Sequence, residues 1–125
     1  MAVERFSSNK PFPFSDIVKA NGFIFLSGQV SMAQDGEPLK GSVAGQTQCI
    51  LDSIETTLSR AGASLNDVVR VQVWLSDMAN FAEFNAAYST RFAQGFPART
   101  VVASRLAFGV DVEIEVLAVE PCLTC

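Results

Sequence analysis

The chain has 125 residues, 49% of them hydrophobic and 18% charged, and a formal net charge of −4. A chain of this length buries roughly two-thirds of the surface it exposes when unfolded, so a single domain over residues 1–125 can close its own core, and the composition excludes a disordered segment. The acidic balance argues against nucleic acid or an anionic membrane as partner. The absence of histidine removes Ser-His-Asp and Cys-His nucleophiles, imidazole bases and histidine metal sites.

At the N-terminus, "MAVERFSSNKPFPFSD" has no basic-then-apolar signal pattern, and no apolar run reaches the length of a membrane span; both predict a cytoplasmic protein. Residues 3–7 read as a first strand. "SDIVKANGFIFLSGQ" reads as two strands turning at Asn21-Gly22, a dipeptide suited to a tight hairpin. "SMAQDGEPLKGS" then reads as a loop. From Ser42, a candidate cap, Ile50, Leu51, Ile54, Leu58 and Ala61 recur at helical spacing until Gly62.

"DVVRVQVWLS" follows as a strand, with Val69, Val71, Val73 and Leu75 expected on one face and Arg70, Gln72 and Trp74 on the other. A second helix is predicted from an Asn80 cap, with Glu83 completing a capping box and Phe81, Phe84, Tyr88 and Phe92 as its stripe, ended by Gly95 and Pro97. Two strands, roughly 99–105 and 110–119, close the chain. The terminal "CLTC" is a lone C-x-x-C in a chain of three cysteines, without a second pair, and reads as free thiols rather than a metal site.

The predicted architecture is α+β: a single mixed sheet with two helices packed on one face. The other face is expected to carry Arg70, Gln72 and Trp74, then Arg99, Val101, Ala103 and Arg105, then Asp111, Glu113 and Glu115. Such a face needs cover, and a further copy of the chain supplies it, giving a homo-oligomer with its sheets inward. Glu113 and Glu115 would stand roughly 6.6 Å apart. At an effective dielectric of about 20 their repulsion is on the order of 2.5 kcal/mol, so they need counter-charges, and Arg70, Arg99 and Arg105 are at hand. Two readings stay open at this point: structural ion pairs in a wet interface, or a functional site.

Four segments in order, "GFIFLSGQV", "NFAEFNAAY", "FPARTVV" and "VEIEVLAV", give the chain a resemblance to the YjgF-type, or reactive intermediate deaminase A (RidA), family from about Phe14 to Val119. The resemblance implies a chorismate-mutase-like fold and a homotrimer, with the sheets forming a central barrel and ligand clefts between subunits. It implies hydrolysis of enamines and imines such as 2-aminoacrylate to 2-keto acids and ammonia, without metal or organic cofactor. By the same resemblance, Arg99 grips the substrate carboxylate, a task suited to the guanidinium fork. Glu113 positions or activates water, Ser27 and Gly28 form the cleft wall, and Asn85 contributes from the helix. Phe14 stands where such proteins carry a tyrosine and Val101 where many carry a cysteine, both beside the substrate, and the segment from Arg99 to Leu106 is one residue shorter. Glu115 reads as a structural ion-pair partner.

Beside these roles, Gly28 also fits a bulge, Ser27 a local backbone contact and Asn85 an ordinary helix-surface amide. The reading that follows is an imine/enamine deaminase acting on a small 2-imino acid. Its rivals are a carboxylate-binding or regulatory trimer that turns nothing over, a purely structural trimer, and a deaminase of a larger enamine such as 2-aminomuconate.

Overall fold

A computed structural model describes residues 2–121; Cys122 and Cys125 lie outside the described residues. Strands β1 (Glu4–Ser7), β2 (Ser15–Ala20), β3 (Phe23–Leu26), β4 (Gln29–Val30), β5 (Val68–Leu75), β6 (Ala98–Ala103) and β7 (Val112–Val119) form one seven-stranded sheet. Its order is β1-β2-β3-β7-β5-β6, with β4 also on β7. Only β5 and β6 pair in parallel, so the sheet is mixed. Helices α1 (Val43–Arg60) and α2 (Phe81–Tyr88) supply most of the remaining core, and no helix among the described residues is long and apolar enough to cross a membrane.

The hairpin at Asn21-Gly22 forms with φ of 54° and 82°, the two left-handed conformations that a tight turn between right-twisted strands demands. Ser42 caps α1, its Oγ accepting the Gly45 N–H at 2.9 Å. At the far end Gly62, with φ of 79°, lets the Ala63 N–H return to the Leu58 carbonyl at 2.9 Å. Ile50, Leu51, Ile54 and Leu58 are fully buried against Val71, Val73, Leu75 and Ile114 of the sheet.

The second helix departs from expectation. It stops at Tyr88, well short of Gly95, and Asn80 makes no side-chain cap bond. Asp77 instead accepts the Ala79 N–H at 2.8 Å and caps the short 3-10 turn Met78–Asn80 ahead of it. Glu83 reaches across to the Ala44 N–H at 2.9 Å and so serves the first turn of α1. A carboxylate satisfies whichever orphan amide is nearest, and tertiary packing brings the other helix's amide closer. Phe92 lies beyond the helix yet remains buried, its ring centroid 4.9 Å from that of Tyr88.

Three face assignments also change. The register of β5 against β7 shifts between Val68 and Arg70, so Val68 is buried and Val69, expected inside, is exposed. One inserted residue reverses the parity of everything before it. Arg99 and Val101, expected on the open face, pair with the buried Val71 and Val73 of β5. They therefore stand on the helix side, leaving Thr100 and Val102 toward the open face. Asp111 precedes β7 and leaves the acidic row: its carboxylate accepts from Ser76 Oγ at 2.7 Å and from Gln46 Nε2 at 3.0 Å, tying the strand to α1.

Candidate functional site

Arg99 leaves β6 beneath α2. Its Nη1 donates to Asn85 Oδ1 at 2.9 Å, and its guanidinium carbon lies 4.9 Å from the Tyr88 ring centroid and 5.8 Å from those of Phe81 and Phe84. Three rings and one amide thus hold the fork half-buried; each ring is worth about 0.5–1 kcal/mol where exposed and more where water is excluded. Among the described residues no carboxylate pairs with Arg99. Arg99 also lines an open cavity of about 340 Å³, together with Asn85, Tyr88, Ser89, Phe96 and Pro97.

Tyr88 matters to this wall in a second way. Its hydroxyl is buried without a hydrogen-bond partner among the described residues. Burial pushes its pKa up to about 12, with Arg99 pulling weakly the other way, so the phenol stays neutral.

Glu113 belongs to a different cavity, of about 250 Å³, whose lining includes Phe12, Phe14, Ser27, Gly28 and Phe108. Between β3 and β4 the chain breaks its pairing at Ser27-Gly28 before rejoining β7 opposite Ile114 and Glu113. Ser27 Oγ donates to the Ser15 carbonyl at 2.6 Å, holding the break in place. Gly28 lies against the acid: a Cβ there would run into the Glu113 carboxylate, and the end of the Glu113 side chain would have to move aside. Burial, and secondarily the charge of Glu115, raises the Glu113 pKa above the ordinary glutamate value. Among the described residues none of Arg70, Arg99 and Arg105 forms an ion pair with Glu113 or Glu115, contrary to expectation. Glu115 instead lines a third depression with Arg70 and Gln72.

The candidate residues therefore fall into two groups. Phe14, Ser27, Gly28 and Glu113 share one cavity, and Asn85 and Arg99 share the other. Val101 lines neither and packs against the core. Arg99 pairs with Val71, whereas Glu113 pairs with Trp74, which in turn faces Val102. Two strand spacings across and three residues along put their backbones about 14 Å apart, on opposite faces of the sheet. One chain does not bring fork and acid together.

The aromatic box around Arg99 reads from the sequence only as a core stripe. Nothing in helical spacing tells a ring that fills a core from one that also cradles a cation. Phe12 and Phe108 escape the motif comparison, although aromatics in loops beside Pro11, Pro13 and Gly109 are a recognisable signal of a binding wall. Among the described residues no group of three or more acidic or thiol side chains is placed to hold a metal ion.

A model of the endoribonuclease L-PSP family matches residues 7–120. A RutC family protein of Pyrococcus horikoshii is 42% identical over 118 residues, covering 90% of this chain and 94% of that protein. The crystal structure of yeast Mmf1 superposes with a TM-score of 0.89 at 35% identity, covering 96% of this chain and all (100%) of the other. That of RidA from an Antarctic Psychrobacter species gives 0.84 at 29% identity, over 93% of this chain and 98% of that one.

Proposed function

This chain belongs to the endoribonuclease L-PSP family, the YjgF/RidA proteins, and on that premise we propose that it hydrolyses 2-imino acids and their enamine tautomers to 2-keto acids and ammonia, without a cofactor. The observation that carries the reading is Arg99: a half-buried cation with no carboxylate partner among the described residues, clamped by three rings in the wall of a cavity. Such a group calls for an anionic ligand, and a carboxylate fits its fork, each charge-assisted bond contributing roughly 1.5–3 kcal/mol.

Catalysis then requires a second chain. In a homotrimer with its sheets inward, the Arg99 cavity of one subunit abuts the Glu113 cavity of the next. The exposed Phe23, Phe25 and Val102 support burial of the sheet against other copies. The Glu113 carboxylate accepts a proton from water as the oxygen adds to the imine carbon and the imine nitrogen takes up a proton. In the resulting carbinolamine the amino group takes the proton held by Glu113, the C–N bond breaks with its electron pair leaving on ammonia, and the hydroxyl proton passes to solvent as the keto group forms, replacing the one taken up by the imine nitrogen. A positioned base of this kind contributes about 10²–10⁴-fold. A raised pKa makes the Glu113 carboxylate a stronger base toward the attacking water than an ordinary glutamate. The family description names an endoribonuclease, but a net charge of −4 offers a polyanion little electrostatic attraction.

Two experiments test this. Serine or threonine dehydratase supplies 2-aminoacrylate, and pyruvate release should accelerate on adding the protein. Arg99→Ala and Glu113→Gln should each lose at least about 99% of activity alone, yet co-assembled at equal amounts they should recover about a quarter of parental activity, because a site drawing one residue from each of two chains is intact in that fraction of random pairings. No recovery would remove the shared site; unaccelerated pyruvate release by the parent protein would remove the deaminase.

A further inference from the structure

Resting on that reading of the site, we propose that the Glu113 cavity is a side-chain pocket for bulky apolar 2-imino acids, such as those derived from phenylalanine or leucine, and that Phe108 sets the preference. If the carboxylate is held by Arg99 of a neighbouring chain, only the imine and the side chain of the substrate enter this cavity. Its volume of about 250 Å³ corresponds to about eight waters at about 30 Å³ each. The methyl group of 2-iminopropionate displaces about one of them. On the same scale an isobutyl group displaces about four of them and a benzyl group about five or six.

The wall fits that occupant. Phe12, Phe14, Met32 and Phe108 line it, with the Phe12 and Phe108 rings tilted against each other at a centroid distance of 5.6 Å. Its neutral polar neighbours are already engaged: Ser53 Oγ donates to Gln29 Oε1 at 2.6 Å, and Ser27 Oγ to the Ser15 carbonyl at 2.6 Å. Asp16 is paired with Arg60 at 2.8 Å. The charged side chains in the lining that no hydrogen bond or ion pair engages among the described residues are Lys10 and Glu113, and Glu113 is assigned to the water.

Phe108 also holds a backbone conformation that its side chain disfavours, with φ of 64° and ψ of 9°. A bulky residue keeps a left-handed conformation only where its surroundings over-determine it, and such residues cluster at ligand clamps. Among the described residues the ring that Phe108 packs against is Phe12, and both stay partly exposed; a ligand side chain between Phe14 and Phe108 would add contact there.

The strain supplies a clean test. Glycine adopts this φ freely, so Phe108→Gly removes the ring without endangering the fold. Phenylpyruvate and pyruvate, titrated calorimetrically into the full chain, should differ in affinity by about tenfold or more in favour of phenylpyruvate, the discrimination a hydrophobic pocket typically provides. In Phe108→Gly the ratio should collapse to within about threefold of unity. Equal affinities in the parent protein, or a preference that survives Phe108→Gly, would overturn the proposal. Imines generated by an L-amino-acid oxidase from phenylalanine and alanine test turnover separately. Hydrolysis of the alanine imine alone overturns the pocket while sparing the deaminase. A preference for phenylpyruvate with no imine hydrolysed faster than in buffer sustains the pocket and removes the deaminase.

Discussion

The two cavities are built by opposite means. Around Arg99 the positioning is done by packing: rings from α2, one amide and the underside of the helix hold a side chain that could otherwise sweep several ångströms. Around Glu113 it is done by close approach of backbone: a broken strand lays Gly28 against the carboxylate, with Ser27 pinned to Ser15 beside it. The first arrangement borrows the hydrophobic core and tolerates small shifts. In the second, a single methyl group added at Gly28 would displace the Glu113 carboxylate from its place.

That contrast can be broken from either side. Arg99→Ala should have the largest effect, reducing imine hydrolysis to the rate without protein, and even Arg99→Lys should lose more than about tenfold because an ammonium has neither the fork nor the flat face that stacks on Tyr88. Glu113→Gln should lower turnover by about 10²–10⁴-fold while leaving 2-keto acid binding in calorimetry largely intact. Equal losses of binding and turnover would favour a carboxylate receptor. Gly28→Ala should cost about 10²-fold in turnover, the usual penalty for a displacement of about 1 Å at a reacting centre, with a far smaller change in ligand affinity. Smallest is Tyr88→Phe: deleting a buried hydroxyl that has no partner among the described residues should stabilise the protein by about 1 kcal/mol in denaturant titration. A loss of stability there would mean that the hydroxyl has a partner in the assembly.

The acid also carries a pH signature. Because the folded-state pKa of Glu113 is raised, the folded protein holds that proton more tightly than the unfolded chain does. The associated stability is fully present below the ordinary glutamate range and is lost as pH rises through the raised value. Glu113→Gln, which cannot ionise, should therefore melt higher than the parent at neutral pH, and the difference should close as pH falls below that range. Turnover should rise with pH through the same interval, since the carboxylate is the working base. Melting curves and pH–rate profiles check the two halves of this statement independently.

Much of the fold is legible in the sequence because its signals are local. Asn21-Gly22 turns where its dihedral freedom requires, Ser42 caps and Gly62 terminates α1, and the alternation in β7 places Val112, Ile114 and Val116 inside with Glu113 and Glu115 opposite. The segments carrying Arg99 and Glu113 are legible too, through ordered motifs, although motifs carry no distance between residues. The facing of strand 98–103 is not, because Ala-Arg-Thr-Val-Val-Ala has no clean polar alternation and takes its orientation from parallel pairing with β5 rather than from its own residues. Val69 escapes for a related reason: a bulge leaves no mark in composition.

What the sequence by itself determined, then, is the kind of chain and its punctuation: an α+β plan without histidine chemistry, with a candidate fork and a candidate acid at known positions. Only the tertiary structure decided that these two stand on opposite faces in separate cavities, that rings from α2 enclose the fork, and that a glycine presses on the acid. Turns and caps depend on neighbours within a few residues and can be read along the chain. Facing, close approach and enclosure depend on segments dozens of residues apart, and their parity is settled only when the strands pair.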